Sequence, residues 1–506
     1  MIRPGTGSAS LRRPGPLEVH LEVSLQPDPR ILYDNSFAHI LDVPQGLIEA
    51  LRYDLAFDTG APPEPPTQDA TGAWRAGWDG WSRMLTHQGK LASGLVPEAV
   101  RLLAKYGQAV RLIDGRAEPP GNLPLQSLGF PPPRAYQLAL VEAAIHAGRG
   151  VIDAPPRSGK TLVGALIFDA LALPTLWIAP TRGIVDQTVR VLRRYLGPGV
   201  KVVSLMGGSG TAKQMRERAA AVGADLVVTT QATAIKLAHA FWRSRAVLIY
   251  DEFHHSASTT GQDINRLASS IFYRFGLTGT HFRSDANTEI LMRAVLSNVI
   301  GKVDVSSLVD DGHLCPADVL FVPITWPAFS GSNTTTLYPM AIVQHEQRNG
   351  WIAWAASQLA ARGKRTIVLV KHVEHGERLA QLIAGSTFIH GELGSAANGE
   401  VIDGFNGGRV PVLIGTSVLG EGIDLPAADA LVYAKAGRAS VTITQDVYRV
   451  LTAHPDKGRA IIVDFADRHC YPFQEQSCAR ARLYASEPSW TVDVMTEPEA
   501  LLGRLP

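Results

Sequence analysis

From residue 130 onward, short apolar runs alternate with stretches whose apolar residues recur at helical spacing, in two successive series. The first series has runs at Gly150–Asp153, Leu173–Ala179, Lys201–Leu205, Leu226–Thr230, Ala246–Tyr250 and Phe275–Thr278. A run such as Leu226-Val227-Val228 suits a strand covered on both faces, as strands of parallel sheets are. Helices are expected between the runs, for example over Ile184–Tyr195 and Ala212–Ala221. The second series begins near residue 340, with runs at Arg365–Val370, Thr387–Ile389, Val410–Gly415, Ala430–Tyr433 and Ala460–Asp464. This alternation predicts an α/β chain with two doubly wound parallel-sheet units in tandem.

Upstream the pattern changes. Leu17–Val23 alternates apolar and polar residues as a half-buried strand does, and Ala61–Pro66 must be a loop. Trp74, Trp78 and Trp81 precede a helical pattern around Val96–Tyr106 and a strand around Val110–Asp114; Pro131-Pro132-Pro133 then marks entry to the first sheet unit. The expected division is a tail at 1–16, a small α/β accessory domain at 17–120 and a first sheet domain at 121–303. A connection at 304–340, a second sheet domain at 341–485 and a tail at 486–506 follow.

A length of 506 residues suits such a multidomain chain. The net charge of +1 gives no global pull toward nucleic acid, so any such surface must be local. Three cysteines without paired spacing fit a reducing compartment. No apolar run reaches membrane-spanning length and no secretory signal is evident, so the expected location is the cytoplasm of a bacterium or phage-infected host, with no membrane partner.

The candidate chemistry lies at the ends of two of these runs. After Val151-Ile152 comes Asp153-Ala154-Pro155-Pro156-Arg157-Ser158-Gly159-Lys160-Thr161, a strand running into a phosphate-cradling loop and then a helix. Lys160 suits the β/γ-phosphate oxygens of a nucleoside triphosphate and the Thr161 hydroxyl suits Mg²⁺; Ala154 replaces the first glycine of the general pattern. Some ninety residues on, the run Val247–Tyr250 delivers Asp251 and Glu252, the first suited to Mg²⁺ and the second to polarising an attacking water. His254 and His255 follow, without further ligands at zinc spacing, so Mg²⁺ is the metal expected.

Together with these residues, Phe130–Gln137, Ile178–Arg182, Val227–Gln231, Leu277-Thr278-Gly279-Thr280, Ile367–His372 and Gly415–Asp424 resemble, in order and placement, the motifs of superfamily 2 helicases and translocases. The resemblance spans roughly Phe130–Asp467 and implies two RecA-like domains flanking an ATP site. It implies adenine contacts from Tyr136 and Gln137, a phosphate loop over Pro156, Arg157, Ser158, Gly159, Lys160 and Thr161, and further nucleotide contacts from Gly422 and Asp424. Coupling between ATP and nucleic acid falls to His254, Thr278, Thr280 and Gln445. Nucleic-acid contacts fall to Thr181, Arg182, Thr230, Gln231, Lys371, His372 and Thr416, which suit a phosphate backbone better than base reading.

Arg449 stands where the family places an arginine finger, while Tyr448 replaces a glycine and Thr452 a second arginine. The chain is thus expected to hydrolyse ATP with Arg449 alone, to recruit Arg438 or Arg459, or to turn over slowly. Leu308–Leu314, Tyr338 and Arg348-Asn349, and the segment around Trp78–Trp81, resemble phage branch-migration and excision-repair-type helicases. They imply DNA, duplex, branched or single-stranded, ahead of RNA. The expected activity is an ATP-dependent DNA helicase or translocase; a weak-ATPase annealing or complex subunit and a restriction or defence motor are the alternatives.

Overall fold

The five residues Thr175–Ala179 are all buried, and so are Val247–Tyr250 and Leu226–Thr229. Strands so covered sit inside a sheet with helices on both faces. A computed structural model describes residues 28–68, 74, 75, 77–116, 119, 123, 129–207, 221–279, 286–419, 423, 425–454 and 457–505. The expected strand at Leu17–Val23 and all but the last residue of the expected helix at Ala212–Ala221 lie outside this set.

The N-terminal unit has a mixed sheet of β1 (Arg30–Tyr33), β2 (Phe37–Leu41), β3 (Lys90–Ala92) and β4 (Arg111–Asp114), in the order β3-β2-β1-β4. Its core is aliphatic, built from Ile31, Leu47, Leu51, Leu95 and Leu103 among others. Trp78 and Trp81 are half-buried and lie outside that core, and the Trp78 indole N–H donates to the Trp81 carbonyl at 3.2 Å.

The first sheet unit comprises β5 (Arg149–Asp153), β6 (Thr175–Ala179), β7 (Val202–Leu205), β8 (Leu226–Thr230), β9 (Val247–Asp251), β10 (Tyr273–Thr278) and β11 (Val299–Lys302). The second comprises β12 (Ala317–Ile324), β13 (Thr366–Leu369), β14 (Ser386–Ile389), β15 (Val412–Gly415), β16 (Ala430–Tyr433), β17 (Ala460–Asp467) and β18 (Thr491–Val494). Both sheets are seven-stranded among the described residues, and their pairings are parallel. Counted from its own first strand, each sheet runs 3-4-2-5-6-1-7. The chain therefore carries one topology twice.

Two expected boundaries are corrected. Ala317–Ile324, assigned to the connection at 304–340, is an interior strand of the second sheet, paired along its length with β17. Pro323 sits in register with Ala466 near the strand's end, where a missing amide costs least. The tail at 486–506 likewise supplies β18, which pairs with β12 at the sheet's edge.

The N-terminal unit is fastened to the first sheet by two arginines at the strands' amino ends. Arg274 is fully buried and donates to Asn265 Oδ1 at 2.5 Å, Ser36 Oγ at 3.1 Å and Ala268 O at 2.5 Å. Arg149 donates to Asn35 O at 3.0 Å, Ser93 Oγ at 2.5 Å and Val295 O at 2.6 Å. Burial lowers the Arg274 guanidinium to about 10. Gly94 lies against the end of the helix Ala286–Leu296, where an added Cβ would fall 2.2 Å from the Arg293 carbonyl. Removing Arg274 strands several buried acceptors, each costing about 1–3 kcal/mol. Arg274→Ala should therefore destabilise the chain by about 3 kcal/mol in urea unfolding and Ser36→Ala by about 1 kcal/mol.

Candidate active site

β5 ends at Asp153, and the loop after it turns back over the sheet into the helix Lys160–Leu171. Gly159 holds φ 79° and Arg157 φ 71° in the left-handed region. For arginine that conformation costs on the order of 1 kcal/mol and is retained where the surroundings impose it. Three contacts impose it here. Tyr136 donates to Ser158 O at 2.7 Å, Gln137 Nε2 donates to the same carbonyl at 3.0 Å, and the Ala154 amide donates to Thr278 O at 2.9 Å. An added Cβ at Gly159 would lie 2.6 Å from Gln137 Nε2, and one at Gly279 would lie 2.8 Å from Pro156 Cδ. Tyr136 and Gln137 thus buttress the loop. Gln137 is buried, and its Oε1 accepts from the Arg134 amide at 2.9 Å.

Asp251 closes β9 and Glu252 follows with φ 45°, its amide donating to Asp251 Oδ1 at 3.1 Å. Lys160, nearly buried at the helix start, places Nζ 3.6 Å from Glu252 Oε1. His254 Nδ1 lies 3.5 Å from Glu252 Oε2 and 3.2 Å from Thr278 Oγ1. The expected catalytic lysine, both carboxylates, the coupling histidine and the coupling threonine therefore meet at adjacent strand ends. Burial, then the neighbouring Glu252 carboxylate, push Asp251 up to about 7, with Lys160 acting in the opposite direction. Thr161 follows Lys160 on the same helix. A threonine hydroxyl and a carboxylate are hard oxygen donors, so the donor chemistry fits Mg²⁺. Among the described residues, no group of three histidine, cysteine, aspartate or glutamate side chains could hold another metal.

The second unit closes the site from across the cleft. Tyr136 packs against both the first unit's core and the second's, its ring 5.8 Å from that of His313. The Arg157 guanidinium reaches the Arg449 carbonyl at 3.5 Å, and Arg449 itself is buried, directed at Ile423 O at 3.5 Å and Asp446 Oδ1 at 4.0 Å. Asp446 also takes Lys435 Nζ at 2.7 Å. Behind Arg449, the buried Lys457 ammonium donates to Ala428 O at 2.6 Å, to Val450 O and to Thr452 O at 3.5 Å. Of the two substitute arginines expected, Arg459 is committed to Asp318 Oδ1 at 2.8 Å and Ala317 O at 2.9 Å, at the amino ends of β12 and β17 and away from the site. Arg438 is exposed. Gln445 lies on the helix Ser440–Val447, just before Arg449. Thr280, Gly422 and Asp424 lie outside the described residues.

Thr181, Arg182, Thr230 and Gln231 line one open cavity of about 510 Å³ at the carboxyl ends of β6 and β8. Thr181 caps the helix Arg182–Leu196 by accepting from the Ile184 amide at 3.4 Å, which leaves its hydroxyl proton to donate. Arg182 donates to Gly207 O at 3.3 Å. The other three expected contacts sit in the second unit. Lys371 Nζ lies 5.0 Å over the Tyr338 ring, His372 stands edge-on to that ring at 5.0 Å, and Thr416 is buried just past β15. Every one of these residues lies at or just past a carboxyl strand end, where doubly wound sheets bind ligands.

The DEAD/DEAH box helicase family matches residues 134–288, and the helicase conserved C-terminal domain matches residues 352–453. The chain belongs to the superfamily 2 helicases. Among curated superfamily 2 relatives, it is 24% identical over 357 residues to the ATP-dependent DNA helicase uvsW of Enterobacteria phage T4, across 66% of this chain and 68% of that one. It is 27% identical over 310 residues to a DNA 3'-5' helicase Rad25 assigned in Haloarcula marismortui, across 58% of this chain but only 46% of that one. In fold it is similar to the ATP-dependent type ISP restriction-modification enzyme LlaBIII bound to DNA, with a TM-score of 0.55 at 14% identity, covering 74% of this chain and 32% of that one.

Sequence reasoning did not find Ser256, whose hydroxyl accepts from Gln231 Nε2 at 3.0 Å, nor the supporting contacts of Arg134, Asp446 and Lys457 around the candidate site. None of these carries a spacing signal. The raised Asp251 carboxyl makes a direct prediction. Its unfolded value is near 3.8 and its folded value about 7, so the folded state holds the extra proton between them. Stability from this group is full at the acid end of that window and is lost as pH rises toward about 7. Asp251→Asn should flatten that decline in urea midpoints measured against pH; an unchanged slope would place the proton elsewhere.

Proposed function

We propose that this chain hydrolyses Mg²⁺-complexed ATP and spends the turnover moving along or remodelling duplex or branched DNA. One observation carries the reading. An unbroken line of contacts runs from Lys160 through Glu252 and His254 to Thr278, beside a cavity lined by backbone-binding residue types. ATP binding draws the Lys160 ammonium from Glu252 onto the β/γ-phosphate oxygens, which frees the Glu252 carboxylate to take a proton from the attacking water. Thr161 and Asp251 would hold the metal, which would supply charge neutralisation. Arg449 stabilises negative charge on the transferring phosphoryl group from the second unit.

The names of the phage and archaeal relatives as DNA helicases favour DNA over RNA. On this reading the N-terminal unit, fixed to the first sheet by Arg149 and Arg274, serves as a DNA-sensing accessory, and the protein acts in the cytoplasm.

The test is ATP hydrolysis measured without nucleic acid and with single-stranded DNA, duplex, branched DNA or RNA. DNA should stimulate turnover, Lys160→Ala should abolish it, and Glu252→Gln should keep ATP binding while lowering turnover by about a hundredfold or more. Turnover that ignores both DNA and Lys160 contradicts the reading. Stimulation by RNA alone overturns the choice of DNA.

A further inference from the structure

Resting on that reading, one feature goes further. The short turn Phe253–Ser256, directly after the two carboxylates, touches both sites. On the ATP side, His254 lies 3.5 Å from Glu252 and 3.2 Å from Thr278. On the other side, the exposed His255 lines the same 510 Å³ cavity as Thr181, Arg182, Thr230 and Gln231. The two imidazoles are in contact, with ring centroids 4.2 Å apart. At the end of the turn, Ser256 is buried, and its hydroxyl accepts the 3.0 Å hydrogen bond from Gln231 Nε2. Gln231, predicted from sequence as a nucleic-acid contact, is thereby also tied to the turn that carries the histidines.

We propose that the turn Phe253–Ser256 reports occupancy of the nucleic-acid cavity to Glu252, with His255 as a backbone-phosphate contact and the Ser256–Gln231 hydrogen bond as its anchor. A phosphate seated among Thr181, Arg182 and Thr230 meets the His255 ring edge, where an imidazole N–H donates to a phosphate oxygen. His255 cannot shift without moving His254, because their rings touch. His254 cannot move without changing its distances to the Glu252 carboxylate and the Thr278 hydroxyl. Gln231 engages the far end of the turn, so the strand end that meets the nucleic acid and the turn that meets the water-polarising carboxylate move together. Two discrete contacts thus join the sites, and each can be removed singly. Both residues act through Glu252, so they are positioning residues for hydrolysis.

The test is steady-state ATPase activity titrated with a single-stranded oligothymidylate, for wild type, Ser256→Ala, His255→Ala and His255→Lys. Ser256→Ala should leave the half-stimulating DNA concentration within about twofold while cutting the maximal stimulated-to-basal ratio about fivefold. His255→Ala should raise the half-stimulating concentration by about fivefold or more. His255→Lys should restore that concentration through its charge on phosphate, yet keep a low maximal ratio because no ring remains against His254. His255 is exposed, so its two variants keep the test sound if the buried Ser256 change impairs folding. Curves for the His255 variants that superpose on wild type overturn the relay. A wild type that DNA does not stimulate overturns the DNA-motor reading beneath it.

Discussion

Two carboxylates on consecutive residues at a half-buried strand end repel each other, and the rest of the structure is arranged around that constraint. Asp251 responds by holding its proton up to about 7, and Glu252 responds by pairing with Lys160 at 3.6 Å. The backbone at Glu252 is left-handed, and its side chain meets the phosphate-loop lysine. A cation arriving with a nucleotide would relieve the same repulsion, so the site's own electrostatics favour the ligand it is built to take.

Repetition of one strand order explains how so long a chain makes a single cleft. Both sheets run 3-4-2-5-6-1-7, yet only the first has the glycine–lysine–threonine loop after its first strand. In the second, β12 occupies the equivalent place, and its neighbour β17 ends in a structural ion-pair cluster. There Arg480 clasps Asp464 at 2.8 Å and Arg348 meets Asp467 at 2.9 Å, all fully buried. Buried pairs of this kind penalise loss of either partner more than they raise stability. The second unit is thus rigid beside its first strand, and its Arg449 sits on a short helical turn braced by Lys457 and Asp446.

Much of this was legible in the sequence because parallel strands, buried on both faces, leave continuous apolar runs. Leu226–Thr230 was read with the bounds of β8, and Asp251, Thr278 and Thr230 fall at strand ends as the runs required. What resisted reading was structure that crosses between segments. β12 fell within the stretch assigned to the connection, and β18 was too short and too near the end to signal a strand. Arg459 looked available until its ion pair with Asp318 placed it at the amino ends of the strands, opposite the site. Ser256 had no motif to mark it, since its contact with Gln231 depends on distance in the fold rather than on spacing along the chain.

The central claim is the proposal that the two units form one hydrolytic site, to which the second contributes Arg449. The most direct measurement compares ATP affinity and single-turnover hydrolysis for wild type and Arg449→Ala in the presence of DNA. The account predicts that ATP affinity stays within about threefold while the hydrolysis rate falls by about a hundredfold or more. An unchanged hydrolysis rate would contradict it.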